Sequence, residues 1–154
     1  MTATNHALTG TIIGLLIDKP ELALPIAFLS HFVLDALPHY GASDRIGILK
    51  TNGFRDYLII EASLCFIIVV LLAVFQPTHW QQAAVCAFLA ASPDFYWVSR
   101  YITIKAGGKW KATGFAKFAG GIQWFQKPIG AVVEVAWLLG AIAILIPLFT
   151  MAKT

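Results

Sequence analysis

The chain has 154 residues, 58% of them hydrophobic and only 12% charged, with a mean hydropathy of +0.75. Soluble domains are about 25% charged, so water is excluded as the main solvent, and the length fits a single domain over residues 1–154. The net charge of +3 is scattered over short connections with no stripe that could track phosphates, so nucleic acid is not expected as a partner.

The first apolar run, Ala7 to Ile17, is too short to cross a bilayer upright unless it extends through Asn5 and His6. It lacks the basic start and cleavage site of a signal peptide. Gly10 and Gly14 give it a small face on which a neighbouring helix can close. Asp18-Lys19-Pro20-Glu21 supplies a turn, with Pro20 suited to a first helical position. Leu22 to Leu37 is the second helix, closed by Pro38 and Gly41, and Gly41 to Phe54 reads as a polar loop.

Tyr57 to Phe75 is the clearest span, carrying Glu61 near its start, and Asp56 at that start suits a helix-dipole cap. Trp80 to about Ile104 makes a fourth helix, with Asp94 beside Tyr96 and Trp97, types that favour the membrane interface. From Thr113 to Lys127, Phe115, Phe118, Ile122 and Phe125 recur at steps of three and four with lysines nearby, the pattern of a helix in the headgroup layer. The last helix, Ile129 to Phe149, is long enough to span and holds Glu134 near its start. Cys65 and Cys86 lie within apolar runs and suit small packing positions. The expected fold is an all-α integral membrane protein, a bundle of about five hydrophobic helices, the first two short, plus an interfacial amphipathic helix.

If all five helices cross, every Lys and Arg except Lys19 and Lys153 falls on one face. The positive-inside rule makes that face, and the N-terminus, cytoplasmic. The expected location is a bacterial inner membrane.

His31, Asp35 and His39 stand at i, i+4 and i+8, one stripe of a continuous helix. An imidazole and a carboxylate four apart can chelate zinc, iron or manganese. They can also simply hydrogen-bond each other or a backbone carbonyl. Each costs free energy to bury in an apolar segment, so something must offset that cost.

Alternating helices bring His6, Glu61, Asp94 and Glu134 toward the same end. His6, His31, Asp35 and His39 are the candidate metal ligands, and Asp94 and Glu61 the candidate catalytic groups. Glu61 and Glu134 are equally suited to be ligands, acceptors for a ligand imidazole, or general bases. Gln123-Trp124 can reach the site from the basic face or act as a headgroup anchor. His79, at the other face, reads as a bystander.

His6 with Gly10, and Ser30-His31-Phe32-Val33-Leu34-Asp35-Ala36-Leu37-Pro38-His39, resemble the opening of small bacterial membrane-bound proteins classed as metal-dependent hydrolases. The Ser92-Pro93-Asp94 segment extends the resemblance loosely. The His-x-x-x-Asp pair is also similar in style to zinc-dependent phospholipase C and the related nucleases, which implies zinc and phosphoester hydrolysis. Those enzymes carry more than one such pair; this chain has one, which favours a one- or two-metal site. Some relatives place a His shortly before an Ile-Gln pair, and Phe118 to Gln123 has none. The resemblance implies a hydrolase acting on a lipid-like or phosphoester substrate at the cytoplasmic interface. The competing reading is a non-enzymatic scaffold or small subunit, with polar residues bonding helices or a homo-oligomeric or membrane-protein partner together. An ion pathway would need polar residues through the full membrane depth, and the outer halves here are apolar.

Overall fold

A computed structural model describes residues 1–40 and 46–150, and the described chain is helical, with one isolated bridge between His39 and Gln126. Residues 41–45 of the expected polar loop, and Lys153, lie outside the described residues.

The first helix, α1 (Ala3–Leu16), starts at Thr2, whose hydroxyl accepts from the Asn5 N–H at 3.4 Å. It extends through Asn5 and His6, longer than its apolar run. This helix is the hub of the bundle, packed on α2 (Pro20–Asp35), α4 (Asn52–Phe75), α5 (Trp80–Ala91) and α8 (Gly130–Thr150). Its closest neighbour is α5. A side chain at Gly10 would collide with the Cys86 carbonyl, and one at Gly14 with the Ala83 backbone. The facing residues of α5, Ala83, Cys86, Ala87 and Ala90, are fully or almost fully buried. Two small-residue faces therefore interlock, and dispersion over that close contact adds to the core formed by Leu8, Leu15, Ile68, Leu72 and Leu145. Cys65 and Cys86 are free thiols, as their packing positions suggest.

Two helices, α4 and α8, are long and apolar enough to cross a membrane. Only 6% of the most apolar stretch of α4, and 17% of that of α8, is buried inside the protein. The core helix of a soluble protein is the reverse, mostly covered by its neighbours.

Several boundaries differ from expectation, each for a local reason. The α2 helix ends at Asp35, because a residue preceding a proline is pushed out of the helical region and Pro38 follows closely. His39 therefore does not continue the His31–Asp35 stripe; it arrives from the loop beyond the helix. The α4 helix begins at Asn52, with Thr51 as its N-cap accepting from Phe54 N–H at 3.2 Å. Asp56 is thus no cap, and it pairs with Arg55 at the surface. The presumed polar loop ahead of α4 includes a short helix, α3 (Ile46–Leu49). The fourth predicted helix is broken by a 3-10 turn over Ser92–Asp94, between α5 and α6 (Phe95–Lys105), where Pro93 sits. Of the amphipathic stretch, only α7 (Gly114–Ile122) is helical.

Candidate metal centre

Three helix ends meet at one place because of how α1 packs. The start of α1 brings His6, the end of α2 brings His31 and Asp35, and the 3-10 turn after α5 brings Asp94. The opposite ends are tied by Gln82, whose amide donates to the Gly14 and Ile17 carbonyls at 3.1 and 2.6 Å.

One ligand atom from each of His6, His31 and Asp94 lies within 4.8 Å of the others, close enough to share a small cation. Their rings and carboxylate are enclosed: His6 and His31 are fully buried, stacked with centroids 3.9 Å apart. His31 decides the chemistry. Its Nδ1 donates to the Ala90 carbonyl at 2.8 Å, since a carbonyl can only accept. In the neutral ring this leaves Nε2 as a lone pair. That atom has no hydrogen-bond partner, yet it lies 3.2 Å from Asp35 Oδ2 and 4.0 Å from Asp94 Oδ1. A lone pair facing two carboxylates is repulsive unless a proton or a metal cation sits among them. A ring nitrogen fixed on a backbone carbonyl, with its other nitrogen aimed into a carboxylate cluster, suits either an imidazolium paired with Asp35 or a metal-ligating histidine.

Asp35 is the hub of this cluster. It lies 3.1 Å from His6 Nε2, accepts from Gln123 Nε2 at 2.9 Å, and accepts from the Met1 amino group. Gln123 thus reaches the site from the end of α7. Trp124 faces outward, with its indole N–H on the Ala36 carbonyl at 3.1 Å.

His39 is buried but stands apart from the His6–His31–Asp94 group. Its main chain is bracketed by residues beyond α7, accepting from Lys127 N–H and donating to the Phe125 carbonyl, at 3.2 and 3.3 Å. Its Nδ1 lies 2.8 Å from the Leu37 carbonyl. Burial holds this imidazole below its ordinary value and so keeps it neutral. It lines a small cavity together with Glu61, Asp94 and Gln123.

Glu61 has a visible structural task. The Thr4 backbone N–H and hydroxyl both donate to its Oε2 at 2.8 Å. The first N–H groups of a helix have no partner within it, so a carboxylate from α4 caps α1 across the bundle. Similarly, the Asn5 amide donates to the Glu134 carbonyl at 3.1 Å, tying α1 to α8. Thr4 and Asn5 were missed as site residues; their polarity within one turn of His6 was the only signal. His79 sits at the other end against Asp18, 3.4 Å away and largely exposed, away from the centre.

The fold and cluster define a helical protein with a buried His/carboxylate centre that could hold a metal. No family model, curated protein or solved structure matches the chain.

Proposed function

We propose that this chain is a membrane-embedded, metal-dependent hydrolase, a bundle of about five hydrophobic helices in a bacterial inner membrane with its basic face cytoplasmic. It acts on a lipid-like or phosphoester substrate at that face. The observation that carries the reading is the placement of His31 Nε2, with Nδ1 on the Ala90 carbonyl, between Asp35 and Asp94 with His6 beside it. His6, His31 and Asp94 would hold a divalent cation, with zinc favoured by the resemblance to zinc-dependent phospholipase C. When bound, such a cation supplies Lewis acidity toward a water and an ester oxygen.

The remaining residues set the stage for that chemistry. Asp35 fixes the His6 ring, the Ala90 carbonyl fixes the His31 ring, and Gln123 holds Asp35 from the α7 side. Asp94, 17% exposed, is the cluster carboxylate that opens to the adjoining cavity, so it can meet substrate. His39 and Glu61 line the same cavity. A neutral His39 can accept a proton from an attacking water there, and Glu61 can do so only while still capping α1.

The scaffold reading draws support from the Thr4–Glu61 and Asn5–Glu134 bonds, which join helices without any metal. On that reading a proton on His31 Nε2 would complete the ion pair with Asp35. Metal content and turnover of an aryl phosphodiester, compared between the unaltered protein and Asp94→Asn, separate the two. A hydrolase loses both metal and turnover in that variant, whereas a scaffold shows neither in either protein.

A further inference from the structure

Two cavities meet at Ala3, Leu58, Glu61 and Asp94. The smaller, about 70 Å³, carries His39, Tyr40, Gln123 and Gln126 in its lining. The larger, about 330 Å³, runs on from it between α4 and α5, walled by Ala62, Cys65 and Val69 on one side and Ala87 and Ala91 on the other. Small side chains open this slot between the two helices, and Phe66, Phe88 and Phe95 also line it. Glu61 and Asp94 are its only charged lining groups among the described residues, and both lie at the end next to the metal centre.

An apolar body with one carboxylate-bearing end suits an amphiphile and not a polar solute. From Leu58 to Val69, α4 rises by about 16 Å at 1.5 Å per residue. That is close to half of a hydrocarbon core roughly 30 Å thick. The slot therefore reaches from the interface toward mid-membrane, the depth of one leaflet's chain. Its volume of about 330 Å³ suits one chain better than the two of a diacyl lipid.

A second groove, between α1 and α8, is larger at about 540 Å³ but has a different character. Its polar groups, Thr9 and Trp137, are bonded to each other at 2.9 Å, and none of its lining residues reaches the metal centre. It serves as an internal control for ordinary lipid contact.

We infer that the α4–α5 slot binds the single acyl chain of a lysophospholipid-like amphiphile and so delivers its ester or phosphoester group to Asp94. The chemistry of that delivery rests on the hydrolase reading, but occupancy of the slot requires neither metal nor turnover. The test uses the full chain in phosphatidylcholine nanodiscs with a lysophosphatidylcholine carrying a mid-chain diazirine. After illumination, adducts are mapped by peptide mass spectrometry, with and without prior treatment with a chelator.

Adducts should concentrate on residues 62–69 and 87–91 and be competed by unlabelled lysophosphatidylcholine. Ala62→Trp and Cys65→Phe, at positions that are not fully buried, should reduce them severalfold while labelling in the α1–α8 groove is unchanged. Adducts spread evenly over both grooves, or uncompeted at the slot, would overturn the assignment. Slot labelling that persists after chelation in a protein without turnover keeps the binding site and removes the hydrolase reading. Turnover without slot labelling does the opposite.

Discussion

Replacing Glu61 distinguishes a residue that holds the bundle from one that performs chemistry. Its Oε2 accepts two bonds from Thr4, both 2.8 Å, and the carboxylate is nearly buried. Glu61→Gln keeps a carbonyl acceptor in the same place and loses mainly the charge, a change of about 1 kcal/mol. Glu61→Ala strips both acceptor interactions and leaves the Thr4 N–H and hydroxyl without partners. Bonds to charged groups contribute about 1.5–3 kcal/mol each and are not additive, so the expected loss is about 2–4 kcal/mol. For a chain of this length that corresponds to a fall in Tm of roughly 5–15 °C. The assay is thermal unfolding in detergent, followed by circular dichroism, with metal content and turnover measured on the same samples. A Glu61→Ala protein that melts with the unaltered one refutes the cap. A Glu61→Gln protein that melts normally and keeps its metal but loses turnover shows that Glu61 also acts as a proton acceptor.

Further expectations follow from single contacts. Gly10→Val and Gly14→Val should each prevent α1 from closing on α5, costing at least about 1–3 kcal/mol as overpacking and reducing the yield of folded protein in size-exclusion chromatography; Gly140→Val, where a side chain meets open space, should behave normally. Trp137→Phe removes the indole donor to Thr9 and should lower stability by about 1 kcal/mol in the same melt, without affecting metal content. Adding the divalent cation at about 100-fold over its Kd should stabilise the chelated protein by about 2.7 kcal/mol, read as a rise in Tm that Asp94→Asn lacks. An unchanged Tm across the titration would speak against a site in the folded chain. Gln123→Ala should leave the fold intact and weaken metal binding modestly, because it frees one oxygen of Asp35; affinity equal to that of the unaltered protein would remove Gln123 from the site.

Much of the helical order was readable from apolar run lengths, because Tyr57 to Phe75 and Ile129 to Phe149 leave few alternatives to a long helix. The Gly10/Gly14 face was likewise legible, since small residues four apart have an evident use in close packing. Helix ends were harder. The sequence placed His39 one turn beyond Asp35, but Pro38 ends the regular geometry first, and long-range bonds to Phe125 and Lys127 then position its main chain. The 3-10 turn at Ser92–Asp94 had the same cause, a proline, and it places Asp94 beside His31. Asp94 could thus act as a ligand or as a catalytic group, the two roles its position at the basic end of its helix already allowed. Thr4 and Asn5 were invisible as partners because their bonds cross to α4 and α8, and sequence periodicity reports only neighbours on the same helix.

The central claim is that the lone pair of His31 faces a metal cation and not a proton. Elemental analysis of the full chain, purified without chelators beside His31→Ala and Asp94→Asn, tests it most directly. The account predicts a stoichiometric divalent metal in the unaltered protein and its loss from both variants while their helical signal persists. A folded, unaltered protein that contains no bound metal and acquires none from added zinc, iron or manganese would contradict it.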